Sequence, residues 1–384
     1  MGTIEEMLSR LHMSNRSAMV DDMTYVLGIE VSKSTAGQSS QVVAALCSNK
    51  SIRLYNRETM NFLQEYKEGT GVICGARFAH KNHNLLYSAS SDGTVKSWDI
   101  RAPGASAVQI FKGYPSNAFI SFDISCSDLV VCAGTEKIEE EDAFLVFWDT
   151  RSPEGMPANK DPLGVYSESH NDDVTQIRFH PTNPSKVASG STDGLVNIFD
   201  IKKDTEDDAL IATCNSDSSV SFLGWAGEDH NQIYCLTHDE GFCWWDLAQI
   251  DTEDAITLSK ITDMRPQVQG CAIDYLIGGM YHEKENSLFL AGGSHAGDIH
   301  ILSCKSDKVR HLKTLSCGHS STVRSFHWNL EDGSLLTGGE DAQLLLWSPD
   351  TKEIQTKNKT LKMASTVQQR VRVHNTKSYS PKQK

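Results

Sequence analysis

No stretch of this chain is apolar for long enough to span a bilayer, and Glu5, Glu6 and Arg10 stand where a secretion signal needs its apolar centre. The expectation is a protein of the cytoplasm and/or nucleus, with no membrane association. The ten cysteines show no paired ligand spacing, and Cys47, Cys132, Cys235 and Cys243 fall in strand-like runs. Reduced core thiols are therefore expected, not disulfides or a metal centre. Also missing are a Gly-rich phosphate loop ending in Gly-Lys-Ser/Thr, a Gly-x-Ser-x-Gly elbow and a His-Glu-x-x-His pair. Met1-Gly2-Thr3 opens like a lipidation signal, but Glu6 occupies the position that needs Ser or Thr. The fourteen histidines offer no constellation: His80, His83, His230, His238, His282 and His295 fall in loops, and His180, before Pro181, in a turn after a strand. Neither catalysis nor a cofactor is expected.

What is present is a repeat. Segments ending at Asn56, Asp99, Asp149, Asp200, Asp246, Ser303 and Ser348 share one pattern, with end points 43, 50, 51, 46, 57 and 45 residues apart. Leu85-Leu86-Tyr87-Ser88-Ala89-Ser90 reads as a strand, Ser91-Asp92-Gly93 as a tight turn, and Thr94-Val95-Lys96-Ser97-Trp98 as the returning strand. An alternating run such as Val174–Phe179 precedes each hairpin and another such as Leu210–Cys214 follows. Four strands make a small sheet that cannot bury its faces alone, so the units must stack.

These segments, with SSDGTVKSWD (Ser90–Asp99) the clearest, resemble WD repeats, and the resemblance implies an all-β, seven-bladed WD-repeat β-propeller of four-stranded antiparallel blades. In that family a loop His, a strand Ser or Thr, a turn Asp and a strand Trp join in one hydrogen-bonded network. The last unit matches with His319, Thr337, Asp341 and Trp347. The fourth keeps His170, Ser189 and Asp193 but has Phe199 in place of Trp, so its network must stop at the hydroxyl. The second keeps Ser88, Asp92 and Trp98 but has Gly69 at the His position.

Length fits one closed domain, residues 23–350, flanked by an N-terminal arm (1–22) and a basic tail (351–384). In the arm, Ile4, Met7, Leu8 and Leu11 have helical spacing, which suits a short docked helix; a disordered arm is the other reading. Three segments compete to supply the outer strand of the last blade: residues near Ile354, Arg370–Val373, and the arm.

Charge divides the molecule. Residues 352–384 hold nine Lys or Arg against one Glu, while the whole chain carries −14, leaving the body near −22. A body so acidic repels phosphates, so no nucleic-acid contact is expected of it. The tail suits an acidic partner, RNA or an import receptor, and Ser380-Pro381-Lys382 fits a proline-directed phosphorylation pattern.

Propeller topology sorts the loops onto two faces. On the upper face the third unit inserts Thr135–Asp142, whose Glu139, Glu140 and Glu141 form an acidic finger suited to a basic peptide. On the lower face Trp98-Asp99-Ile100-Arg101 and Trp148-Asp149-Thr150-Arg151 repeat an Arg two residues past the Asp, with Lys202 at the same point in the next unit. This resembles the Trp-Asp-x-Arg signature of WD-repeat substrate receptors, whose arginines contact the adaptor of cullin-RING ubiquitin ligases; a local ion pair with the strand-end Asp is the simpler reading. Asp204–Asp208 and Asp251–Asp254 add acidic stretches on the same face. The expected function is a non-catalytic protein- or peptide-binding scaffold, monomeric outside its complexes, with ligase-adaptor docking as one form. An assembly factor for an RNA-containing complex, using the tail, is the alternative.

Overall fold

Each small sheet has two apolar faces, and the chain covers them by stacking seven sheets in a ring. The computed structural model describes residues 4–19, 23–33, 41–67, 69, 71–102, 106–112, 117–138, 143–151, 159–250, 254–305 and 308–349. The inner strands of blades 1 to 7 are Val26–Val31, Ile73–Phe78, Phe119–Ile124, Gln176–Phe179, Val220–Ala226, Tyr275–His282 and Val323–Trp328. Antiparallel ladders lead outward from each; in blade 2, Ile73–Phe78 pairs with Leu85–Ser90, then Thr94–Asp99, then Gln109–Lys112. Neighbouring inner strands touch all the way round, the last against the first, so the ring is closed. The architecture is the all-β propeller of seven four-stranded antiparallel blades that the repeats imply. Among the described residues, blade 2 alone gains a short parallel fifth strand, Asn159–Lys160, from the long connection that follows the third strand of blade 3.

The core is divided in the same way. Seven apolar clusters lie among the described residues, each between two adjacent blades. Between blades 2 and 3, fully buried Trp148 sits 5.6 Å from Phe119 and 6.3 Å from Phe111, and its indole N–H donates to the Lys112 carbonyl of the neighbouring blade at 3.1 Å. Burial of such a ring contributes roughly 2–3 kcal/mol. The hairpin turns of blades 2 and 4 need left-handed backbone, and Gly93 (φ +75°) and Gly194 (φ +83°) supply it.

The ring is closed by the N-terminal arm. His12–Ala18 pairs antiparallel with Gln343–Ser348 as the outer strand of blade 7, with a bulge between Met13 and Asn15. Asn15 also reaches blade 1, donating to the Thr59 carbonyl at 3.1 Å. Before it, Ile4–Arg10 forms a helix that buries Ile4 and Leu8, with Leu11 just beyond it, against blades 6 and 7. Seven residues are too few for an independent helix, so packing holds it. The rival closing segments, residues near Ile354 and Arg370–Val373, lie outside the described residues.

Candidate functional site

In blade 7 the polar network is complete and has one direction. Trp347 Nε1–H donates to Thr337 Oγ1 at 2.9 Å, Thr337 Oγ1 lies 2.8 Å from His319 Nε2, and His319 Nδ1 lies 3.0 Å from Asp341. If Thr337 donates to Nε2, the imidazole carries its proton on Nδ1 and every donor meets an acceptor. Burial pushes the Asp341 carboxyl up, but the His319 bond and the N–H groups of Ser320 and Gln343 more than offset this and hold it below the usual range. Blade 4 repeats the arrangement with His170 3.0 Å from Asp193 and 2.7 Å from Ser189, but no indole joins it, because Phe199 is buried against Tyr166 with no N–H to offer; Asn197 lies 3.5 Å from the same His170 nitrogen instead. Blade 2 joins Trp98 to Ser88 at 2.9 Å. Lacking a histidine, its Asp92 turns to the Thr94 hydroxyl at 2.6 Å and to Lys96 at 3.6 Å, a substitute partner the repeat pattern did not indicate.

On the lower face, Arg101 clasps Asp99 through Nε (2.9 Å) and Nη2 (2.6 Å). Arg151 repeats this on Asp149 with Nε at 3.0 Å and Nη2 at 2.6 Å. In both, the Arg backbone N–H also bonds the Asp, so a tight turn aligns the pair. The Arg101 hydrogen bonds hold the Asp99 carboxyl at about 2. The side chains are still 67 % and 71 % exposed. Lys202 is exposed and makes only the backbone part of the turn, to Asp200 at 3.1 Å. Gln109, at the start of blade 2's outer strand, donates to the Thr150 carbonyl in the Arg151 turn at 3.0 Å, beside the added strand Asn159–Lys160. The same clasp recurs outside the repeats, where Arg265 holds Asp263 at 2.8 and 2.9 Å in the connection between blades 5 and 6. The Asp-x-Arg pair is thus a local property of this turn.

The acidic stretches differ from simple solvated patches. Asp208 receives the Thr205 hydroxyl at 2.8 Å, and Glu206 accepts the Ser167 and Glu168 N–H groups at 2.7 and 3.0 Å. Asp254 is exposed, and residues 251–253 lie outside the described residues. Of the upper-face finger the structure describes the stem: Lys137 bonds Asp173 through its N–H (2.8 Å) and the Asn171 carbonyl through its ammonium (2.6 Å). Glu139, Glu140 and Glu141 fall outside the described residues, as does the tail.

Sequence reasoning missed a charged belt in the central channel. Two residues past the bulge of their inner strands, blades 1, 2, 3 and 7 place Glu30, Arg77, Asp123 and His327, and Arg178 of blade 4 joins them. Arg77 lies 3.3 Å from Glu30 and 3.1 Å from Asp123, and the channel here encloses about 190 Å³. Burial pushes the Glu30 carboxyl up and lowers Arg178 to about 10, Arg77 adding to the latter. Arg178 donates to the Ile177 carbonyl at 2.8 Å and lies over Phe222 at 5.7 Å. Aligning the inner strands would have exposed this belt.

Among the described residues, no helix is long and apolar enough to cross a membrane. The family model for the WD domain, G-beta repeat, matches residues 61–99, 160–200 and 309–348. Those matches end in blades 2, 4 and 7, the three that keep the polar network; the first and third run from the outer strand of one blade, or the residue just before it, into the third strand of the next, and the second starts at Lys160, four residues before the outer strand of blade 3, Gly164–Tyr166. A WD repeat-containing protein of Saccharomyces cerevisiae is 30 % identical over 308 residues, 78 % of this chain and 74 % of its own. The WD repeat-containing protein 89 homolog of Dictyostelium discoideum is 27 % identical over 355 residues, 90 % of each chain. WD repeat-containing protein GTS1 of Arabidopsis thaliana is 26 % identical over 334 residues, 80 % of this chain and 78 % of its own. With the ring, its blade offset and its stapling networks, these likenesses establish that the chain belongs to the WD-repeat family of β-propeller proteins.

Proposed function

We propose that this propeller is a non-catalytic interaction scaffold that docks through Arg101 and Arg151 onto the adaptor of a cullin-RING ubiquitin ligase, its upper face presenting the protein to be modified. WD-repeat proteins generally act as protein-interaction scaffolds. One observation supports the docking face: two guanidinium groups on adjacent blades, each oriented by its own aspartate, and each still two-thirds or more exposed at 67 % and 71 %. Such pre-oriented planar groups suit an interface anchor, since little side-chain freedom remains to be lost on binding.

The test is capture of the full chain from cells, comparing wild type with Arg101→Ala/Arg151→Ala and with Arg265→Ala, which removes the same clasp from another surface. Solvent-screened surface pairs contribute little to stability, so all three proteins should fold. Adaptor recovery that is lost only in the double variant supports the proposal; equal recovery, or none from wild type, removes it. The basic tail favours a second reading, an assembly factor for an RNA-containing complex. Partners that are sensitive to ribonuclease and lost on deleting residues 352–384 would support that reading instead.

A further inference from the structure

We propose that Cys271, His300 and His311 form a zinc-binding site on the outer half of blade 6. The three come from separate segments: Cys271 from the connection between blades 5 and 6, His300 from the third strand of blade 6 (Ile299–Lys305), and His311 from its outer strand (Lys308–Leu315). No sequence spacing announces them. Folding nevertheless brings one ligand atom of each within 4.8 Å of the other two.

The surroundings fit a metal site. The Thr314 hydroxyl lies 2.9 Å from a ring nitrogen of His300 and 2.9 Å from one of His311, so one side chain orients both imidazoles. Their ring centres are 5.8 Å apart with planes inclined by 59°, so the rings do not stack. A hydroxyl shared by two ligand histidines is the kind of outer partner that sets ring orientation at metal sites. His300 is buried, while Cys271 and His311 are half-buried. A cleft of about 1020 Å³ between Leu258–Thr262 of blade 5 and Lys308–His311 of blade 6 reaches His311 and gives an ion a way in from solvent.

The donor set selects the metal class. Two imidazoles and a thiolate suit zinc, whereas magnesium and calcium require oxygen ligands. Bonds of about 2.0–2.3 Å place tetrahedral ligand atoms roughly 3.3–3.6 Å apart, so side-chain rotation must close the cage by about 1 Å. Three protein ligands leave a fourth position for water. The bound ion would brace the blade 5–6 connection against the outer hairpin of blade 6, and binding releases the Cys271 proton to solvent.

The full chain, stripped with a chelator, is titrated with zinc against a chromogenic competitor and separately with cobalt(II). One equivalent of zinc should bind with a Kd below about 1 μM and raise the melting temperature, and cobalt should give a thiolate charge-transfer band. Cys271→Ser should abolish that band. His311→Gln, at a half-exposed position, should weaken zinc at least about 10-fold, and Thr314→Val by about 10–100-fold through loss of orientation. Matching circular dichroism of the metal-free proteins excludes misfolding, and Cys317→Ser, removing an exposed thiol, should change nothing. The proposal is overturned by a wild type that takes up no stoichiometric zinc. It is equally overturned by uptake that survives both Cys271→Ser and His311→Gln, or that disappears in Cys317→Ser.

Discussion

Arg77 and Asp123 face each other across the boundary between blades 2 and 3, Nε to Oδ1 at 3.1 Å, and Asp123 gives its other oxygen to the Phe179 N–H of blade 4 at 2.8 Å. One carboxylate therefore fastens three consecutive blades at the channel wall, with Glu30 of blade 1 completing the chain through Arg77.

Removing Arg77 leaves Glu30 and Asp123 near one another without the cation that bonds both, and only Arg178 of the belt's arginines remains to offset them. Breaking a buried pair costs about 3–5 kcal/mol, but Arg77 is 25 % exposed to channel water, so Arg77→Met is expected to lose about 1–3 kcal/mol in urea unfolding. Glu30→Gln should lose less than about 1 kcal/mol, because burial already favours the protonated carboxyl. Equal losses from the two variants would contradict this ordering.

Thr337 is the middle link of the blade 7 network, bonded on both sides with no exposed surface. Thr337→Val keeps the shape and strands both the Trp347 N–H and a His319 nitrogen, so a loss of about 1–3 kcal/mol is expected. Thr337→Ser retains the hydroxyl and should stay within about 1 kcal/mol of wild type. A double-mutant cycle with Trp347→Phe measures the link directly; a coupling near zero would mean that the indole contributes only its packing.

The networks were legible because each needs specific residue types at fixed offsets: His319, Thr337, Asp341 and Trp347 sit where a repeat must place them. The channel belt was not, because Glu30, Arg77, Asp123 and Arg178 are 47, 46 and 55 residues apart, and a lone charge in an alternating strand reads as facing bulk water. Only ring closure turns that solvent side into a shared channel. The closing strand was one of three candidates that the sequence left open, since HMSNRSA has no apolar alternation to single it out; an outer strand is held mainly by backbone pairing. Apolar spacing at Ile4, Leu8 and Leu11 was visible, but which blades receive them follows from where the strand docks.

Pairing of His12–Ala18 with Gln343–Ser348 makes the arm a latch. Deleting residues 1–19 exposes the edge of blade 7 and uncovers the surface under Leu8. The shortened chain is expected to melt at lower temperature and to aggregate through the bare edge. Addition of a peptide spanning residues 1–19 should reverse part of the loss. Leu8→Ala alone, at a 2 % exposed site, should lose about 2–4 kcal/mol. Unchanged melting of the deletion variant would show that blade 7 is stable without its fourth strand.

Acid should weaken the fold before Asp193 and Asp341 titrate. Burial lowers His180 to about 4, with His230 adding to the effect, and lowers His327 to about 4, with Arg57 adding. A depressed histidine is neutral in the folded state, whereas its unfolded counterpart takes a proton near pH 6.5. Its contribution is thus whole above pH 6.5, falls as the pH drops, and is gone below about 4. For His180, only 6 % exposed, the loss across that window is on the order of 2–3 kcal/mol, with a smaller loss for half-buried His327. Asp193 and Asp341, held low in the folded state, lose their contributions only below about pH 4. Urea midpoints measured from pH 7 to 4.5 should therefore fall for wild type and fall much less for His180→Gln/His327→Gln. The same slope in both proteins would assign the acid sensitivity to other groups.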